Sequence, residues 1–297
     1  MSGAWQTRAP AALLPDRLKA AWGDVEAKLI TAAEFEQRRI QWLREYGGIW
    51  REALRSGREQ DLTESLITEI ALLTGQEPAV VEQRCRRAVT QIADEWNREV
   101  DAGDRHSVEN YYDQSEGYIY DLTWWHTLTD DDSPLGYVTA LDFARRNGCR
   151  SYLDFGSGVG AGAVLFGRHG FDVALADISS VLLGFCRRRL DRRRMPARFI
   201  DLKHEALPDQ SFDMITAMDV FEHLVDPVQA VTDLHRALKP GGYLFGRFHA
   251  EVDPDHPQHI VLDFAPAFDR LRELGFTEVW RDEWLWGHQI FQRSGEV

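Results

Sequence analysis

A glycine-rich segment carries the clearest chemical signal in the chain. Gly156, Ser157, Gly158 and Gly160 directly follow a short apolar stretch. Glycines let a backbone turn sharply and approach a ligand without a Cβ in the way. Asp177, at the end of the next apolar stretch, offers a carboxylate that can accept hydrogen bonds from two ribose hydroxyls. The pattern predicts a nucleoside-binding loop.

The glycines alone fit two kinds of ligand. Gly156, Gly158 and Ala161 also match the dinucleotide fingerprint, in which the third position is Gly or Ala. Asp154 stands two residues before the first glycine and favours the other ligand. Its carboxylate would meet the α-ammonium of a methionine moiety, directly or through water, and would repel a pyrophosphate. We therefore predict a cationic nucleoside that carries an amino acid.

The elements that must position these groups belong to an α/β sheet. From Ser151 onward, short apolar stretches alternate with helical patterns, which is typical of parallel strands with crossover helices. Seven strands are predicted, near 151–155, 172–176, 197–201, 213–218, 243–247, 277–280 and 288–292. The expected architecture is a doubly wound α/β sheet, which binds ligands at the carboxyl ends of its strands.

Five segments, in this order along the chain, resemble class I S-adenosylmethionine-dependent methyltransferases of the small-molecule type. They begin at Asp154, Ala174, Phe199, Asp213 and Leu238. The resemblance implies a Rossmann-like sheet with strand order 3214576, its seventh strand antiparallel, and S-adenosyl-L-methionine as cofactor. It also implies the cofactor-binding residues, which are Asp154, Gly156, Ser157, Gly158, Gly160, Asp177, Ile178, Asp201, Leu202 and Asp219.

Methyl transfer from a sulfonium requires little acid–base catalysis. The enzyme positions the acceptor and, where the acceptor is protonated, removes its proton. The predicted catalytic residues are His259, His256, Asp219 and His249, whereas Glu222 and His223 are interpreted as structural. The HxxH spacing of His256 and His259 can bind a metal on a helix, but Pro257 and the lack of a nearby third ligand argue against it. No metal site is predicted.

A dense aromatic stretch precedes the sheet. Tyr112, Tyr118 and Tyr120 faintly resemble the tyrosine-bearing entry helix of some small-molecule methyltransferases, in which a tyrosine closes over the cofactor. Aromatic faces also attract a nearby cation. Tyr112 and Tyr120 are therefore added to the predicted cofactor site. Trp124 and Trp125 are expected to pack against the N-terminal helices.

The first part of the chain is expected to be helical. Asp61 can cap a helix that Gly75 ends, and Pro78 can start the next helix, which runs to about Asn97. The predicted domains are a helical extension over 1–104 and a methyltransferase domain over 105–297. The extension would close the pocket or form a homodimer.

The amino-acid composition of the chain limits the kinds of partner that it can be expected to bind. The formal net charge of -14 repels phosphate backbones and anionic membrane surfaces, so neither nucleic acid nor a membrane is an expected partner. The arginine-rich run 187–194 is expected on a solvated helix face. Cys85, Cys149 and Cys186 are too few and too widely spaced for a disulfide framework. No leader or membrane span is apparent, so the expected location is cytoplasmic.

Three functions remain open from the residues. The first is methyl transfer to an oxygen or nitrogen atom of a small molecule, such as a secondary metabolite. The second is an NAD-dependent oxidoreductase that uses the same glycine loop, although such a site requires neither Asp154 nor the turn 238–242. The third is a non-catalytic module that binds S-adenosylmethionine.

Overall fold

The structure is a computed structural model that describes residues 12–57, 61–127, 134–250 and 252–295. Within these ranges only helices precede the first strand. They are α1 (Leu14–Glu26), α2 (Ala32–Leu54), α3 (Leu62–Thr74), α4 (Pro78–Glu99), α5 (Arg105–Gln114), α6 (Gly117–Trp125) and α7 (Leu135–Arg146). The predicted caps are confirmed, since the Asp61 side chain accepts from the Glu64 N–H and Gly75 ends α3 with φ of 72°.

In the described part of the chain after α7, seven strands and four further α-helices follow, with no α-helix between β3 and β4 or between β6 and β7. The strands are β1 (Ser151–Phe155), β2 (Asp172–Asp177), β3 (Arg198–Asp201), β4 (Phe212–Ala217), β5 (Leu238–Gly246), β6 (Phe276–Arg281) and β7 (Gln289–Arg293). The helices are α8 (Ala161–Arg168), α9 (Ser180–Arg192), α10 (Pro227–Ala237) and α11 (Ala265–Glu273). A 3₁₀ turn, Phe221–His223, follows β4.

The strands form one sheet in the order β3-β2-β1-β4-β5-β7-β6, as predicted. β7 runs antiparallel to both of its neighbours, and the other pairs are parallel. β5 begins five residues earlier than predicted, because Leu238 pairs with Phe212 ahead of a register shift. The chain order reverses between β1 and β4, so the loops after β1 and β4 open a crevice at the carboxyl edge.

The N-terminal helices share a core with the sheet. Trp50 of α2 is fully buried, stacks on Tyr137 at 5.6 Å and donates its indole N–H to the His126 carbonyl at 3.0 Å. One apolar cluster joins Leu18 of α1 to Tyr152 of β1. These helices therefore contribute to the same core as the sheet.

A buried ion network links α3 to the back of the glycine loop. The Glu69 carboxylate receives the guanidinium groups of Arg189 at 2.9 Å and Arg193 at 2.6 Å. Arg189 also donates to the Val159 carbonyl at 2.6 Å. The expectation that the whole arginine run lies on a solvated face is therefore wrong for these two residues, because Glu69 neutralises them inside the protein.

Among the described residues, no helix is both long and apolar enough to cross a membrane.

Candidate active site

A cavity of about 900 Å³ lies at the carboxyl edge of the sheet. At one end it is lined by the glycine loop and Asp177, and at the other by Tyr112, His223 and His259. Helices α5 and α6 cover it with aromatic side chains. A single cavity therefore joins the predicted nucleoside site to the predicted catalytic histidines.

The loop after β1 needs its glycines. Gly156 and Gly158 have φ of 66° and 51°, a region that side chains with a Cβ rarely adopt. A Cβ on Gly158 would lie 2.6 Å from the Leu122 Cδ1 atom of α6, and one on Gly156 would lie 2.6 Å from Val220. Any larger residue would therefore strain the loop and displace the cavity wall.

Asp177 is held in place by the backbone around it. Its carboxylate accepts from the Gly158 N–H and from the Ser179 N–H, both at 2.9 Å. Burial raises the pKa of Asp177 to about 6, against the opposing effect of these backbone donors. A carboxylate has about four acceptor sites, so acceptor capacity remains for the hydroxyls of a ribose.

Other groups around Asp177 also suit an adenosine ligand. Ile178 and Leu202 supply apolar contacts to the same part of the cavity. The Ser157 hydroxyl is buried, lines the cavity and has no hydrogen-bond partner among the described residues. The backbone of the glycine loop, the Asp177 carboxylate and the unpaired Ser157 hydroxyl together fit the nucleoside and amino-acid parts of S-adenosylmethionine.

Asp154 does not line the cavity, so its contact with the cofactor, directly or through water, stays a prediction. The side chain is 1% exposed, and its carboxylate accepts from the Ala163 N–H in the first turn of α8 at 2.9 Å. Helix N-termini attract carboxylates because their N–H groups lack intrahelical partners. Burial raises the pKa of Asp154 to about 7.

Three further predicted cofactor residues lie outside the lining. Gly160 starts α8 with φ of 71° and faces Cys186. Asp201 turns back to accept from the Lys203 N–H, although Leu202 beside it does line the cavity. The Tyr120 hydroxyl accepts from Arg84 at 2.6 Å, and its ring lies under the same guanidinium. Tyr120 therefore joins α6 to α4, whereas Tyr112, Tyr118 and Tyr137 line the cavity.

All four predicted catalytic residues line the cavity. Asp219 has φ of 51° and pairs with Arg247 at 3.2 Å, and His249 lies in the same lining. The His256 ring nitrogen Nδ1 lies 2.6 Å from a carboxylate oxygen of Asp253. This pairing favours hydrogen on Nδ1 and leaves Nε2 as a proton acceptor.

The far end of the cavity is built around His223 and His259. The Tyr112 hydroxyl lies 3.0 Å from Nδ1 of His223, and the His223 and His259 rings meet edge to face at 4.8 Å. Burial lowers the pKa of His223 to about 3 and that of His259 to about 4. Both imidazoles are therefore neutral at pH 7.

Two acidic side chains at this end were not predicted as site residues, since Asp121 was not singled out and Glu222 was interpreted as structural. Asp121 of α6 lines the cavity, and burial raises its pKa to about 6. Glu222 is 2% exposed, and burial followed by the nearby Asp219 raises its pKa to about 8. An acid inside an aromatic stretch was the signal available for Asp121, whereas nothing in the sequence distinguishes Glu222 from a helix cap.

The fold and the nucleoside end define a doubly wound domain that binds an adenosine derivative. Residues 153–246 match the family model described as a methyltransferase domain. The chain is similar to a demethylmenaquinone methyltransferase of Thermus thermophilus, with 32% identity over 43% of this chain and 53% of that protein. It is also similar to a ubiquinone biosynthesis O-methyltransferase of Methylococcus capsulatus, with 31% identity over 41% and 54%. The chain spans about half the length of these curated relatives.

A solved S-adenosylmethionine-dependent methyltransferase from Leishmania major has the same fold, with a TM-score of 0.50 and 20% identity over 67% of this chain and 90% of that one. The family match over residues 153–246, together with this sheet order, identifies a class I S-adenosylmethionine-dependent methyltransferase domain in the chain. The predicted family, sheet order and cofactor are confirmed. The family match favours this class over the NAD-dependent alternative.

Proposed function

We propose that the protein transfers the methyl group of S-adenosylmethionine to an oxygen or nitrogen atom of a small molecule. One observation carries the proposal: a single cavity extends from the nucleoside loop to a wall of histidines and tyrosines. The sulfonium of the cofactor supplies the methyl group when it is bound. The names of the two relatives, which concern quinone biosynthesis, support an acceptor of small-molecule size.

The residues around the acceptor end would orient it and remove its proton. His256 is the preferred base, because Asp253 holds its ring and leaves Nε2 free to accept a proton. His259 is neutral and stacks on His256 at 5.2 Å, so it completes the wall. Tyr112 lies beside His223 at the same end of the cavity, and Tyr118 packs against Tyr112 at 5.6 Å, so both tyrosines would contact the acceptor.

The N-terminal helices act, in this proposal, as a fixed wall of the site. Val89 of α4 lines the cavity, and Arg84 of the same helix binds Tyr120. A role for α1–α4 in a homodimer is a separate proposal, which light scattering of the purified protein would test.

Calorimetric titration with S-adenosylmethionine, S-adenosylhomocysteine and NADH is the first test. We expect micromolar binding of both adenosyl ligands and none of NADH. A radiolabelled methyl donor and a panel of phenols, catechols and amines then test transfer. Binding without transfer to any acceptor would favour a non-catalytic module, and methyl transfer only to RNA or protein would contradict the proposal.

A further inference from the structure

Three ligand-type side chains converge at the acceptor end of the cavity. Glu222, His223 and His259 each offer one carboxylate oxygen or ring nitrogen, and these three atoms lie within 4.8 Å of one another. The first two residues belong to the 3₁₀ turn after β4, and His259 comes from the loop before α11. All three line the cavity.

Two polar atoms of this group have no protein partner. The Glu222 side chain is 2% exposed, and its Oε2 has no hydrogen bond from the described residues. The same holds for Nδ1 of His259. A buried polar atom without a partner destabilises a fold, so two such atoms within one group of ligand-type residues point to a ligand.

His223 is oriented as a metal ligand is. Its Nδ1 lies 3.2 Å from the Gln258 carbonyl oxygen and 3.0 Å from the Tyr112 hydroxyl, whose oxygen can also accept. When Nδ1 carries the hydrogen and donates to that carbonyl, the lone pair is on Nε2. Histidines that bind metals generally donate their second ring N–H to a carbonyl or carboxylate in this way.

The backbone joins the two segments that supply the group. The N–H groups of Ile260 and Val261 both donate to the Glu222 carbonyl oxygen, at 2.9 and 3.1 Å. His259 is therefore held beside the 3₁₀ turn whether or not a ligand is present. The spacing of His256 and His259 alone did not indicate a metal site. The partners that His259 meets in the fold, Glu222 and His223, lie about 35 residues earlier in the chain.

We propose that Glu222, His223 and His259 bind one divalent transition-metal ion, for which zinc is the best match. Two imidazoles and a carboxylate are the ligands of open catalytic zinc sites, which keep a coordination position for water or substrate. Because the group faces the cavity, that position is available to a hydroxyl of the acceptor.

This assignment rests on the proposed function and narrows it to O-methylation. A coordinated hydroxyl loses its proton more readily, since the cation stabilises the oxyanion. The proton leaves to His256 or solvent, and an oxygen lone pair forms the new bond to the methyl carbon. The carbon–sulfur bond breaks with its electrons on sulfur. The products are a methyl ether, S-adenosylhomocysteine and one proton, so atoms and charge balance.

Zinc binding tests the site without any assay of methyl transfer. The full-length protein is stripped with EDTA, exchanged into fresh buffer and titrated with Zn²⁺ against a chromophoric chelator. We expect one zinc per chain, and a loss of affinity of at least about 100-fold in Glu222→Gln and in His259→Asn. His256→Asn is the matched control, because its ring adjoins His259 but is paired with Asp253, and it should bind zinc within a few-fold of the parent.

The other outcomes are decisive as well. No zinc binding by the parent protein, or zinc affinity that follows His256 and not Glu222, would overturn the assignment. Retained S-adenosylhomocysteine binding in every variant shows that the fold and the cofactor site are intact, so loss of zinc alone does not count against the proposed function. In the Co²⁺-loaded protein, added catechol should shift the visible absorption bands, and unchanged bands would show that the ion does not meet the acceptor.

Discussion

The two ends of the cavity differ in how their polar groups are hydrogen-bonded. At the nucleoside end, the backbone and buried charges bind one another: Asp177 accepts two loop N–H groups, and Arg189 holds the loop carbonyl of Val159 from behind. At the acceptor end, side chains from separate segments meet, and Oε2 of Glu222 and Nδ1 of His259 have no hydrogen-bond partner among the described residues. The Asp177 carboxylate and the Val159 carbonyl are therefore paired before any ligand binds, with the Ser157 hydroxyl as the exception at that end, whereas these two atoms at the acceptor end are not.

Because of this difference, the polar groups at one end of the cavity mainly stabilise the fold, whereas those at the other end are available for chemistry. Groups that the fold already uses as hydrogen-bond partners cannot be removed without loss of stability. Groups that the fold leaves unpaired cost stability while they are present, and such a cost persists where function needs the group. Substitutions at the two ends should therefore affect folding in opposite ways.

The largest expected effect comes from the ion network behind the nucleoside loop. Glu69→Gln removes the charge that neutralises Arg189 and Arg193, and breaking a buried pair costs about 3–5 kcal/mol of unfolding free energy. Urea denaturation measures the change. Glu64→Gln, an exposed position on the same helix, should cost less than about 1 kcal/mol. Equal effects of the two variants would show that the network does not support the loop.

Second in size is the loss of the Asp177 carboxylate, which we propose binds the ribose. Asp177→Asn retains the shape of the side chain but removes the charged acceptor of two hydroxyl bonds. Each such bond contributes about 1.5 kcal/mol or more, so we expect about 100-fold weaker binding of S-adenosylhomocysteine. Calorimetry measures it, with Asp172→Asn at the exposed start of the same strand as control. Unchanged affinity in Asp177→Asn would place the ribose elsewhere.

The nucleoside end was largely predictable from the sequence because its parts are local. The glycine loop and Asp177 each follow directly from the end of a strand, so identifying the strands was enough to bring them together. The orientation of Asp154 could not be predicted, because a carboxylate at that point can face the ligand or the first N–H groups of α8, and in the structure it accepts from the Ala163 N–H.

The acceptor end could not be predicted in the same way. Tyr112 meets His223 across 111 residues, and no periodicity encodes such a contact. Tyr118 and Tyr120 were not separable by residue type, yet two positions along an α-helix differ by about 200° in direction. Only the rotation of α6 on its neighbours decides that Tyr118 faces the cavity and Tyr120 faces Arg84.

A smaller effect is expected from pH on the affinity for S-adenosylhomocysteine. The raised pKa of Asp177, about 6, means that the free protein takes up a proton there as the pH falls through 6. The ribose hydroxyls need the carboxylate, so the affinity for S-adenosylhomocysteine should fall about tenfold between pH 7.5 and pH 5.

Two variants identify the group that titrates. Asp177→Asn should bind weakly but with little dependence on pH over this range. Asp121→Asn should retain the decrease, although burial also raises the pKa of Asp121 to about 6. If instead Asp121→Asn abolishes the decrease, the titrating group lies on α6 and not in the nucleoside loop.

The smallest effect, and the sharpest test of the contrast, is the stability of Glu222→Gln. Glutamine fills the same volume and removes a buried acid whose Oε2 has no protein partner, so the metal-free variant should be as stable as the parent or up to about 1 kcal/mol more stable. Urea denaturation in EDTA measures this against Glu69→Gln under the same conditions. A loss comparable with that of Glu69→Gln would mean that Glu222 is part of the protein's own hydrogen bonding, and the distinction between the two ends would fail. A neutral or stabilising result would show that the fold tolerates Glu222 at a cost and leaves its carboxylate available to a ligand.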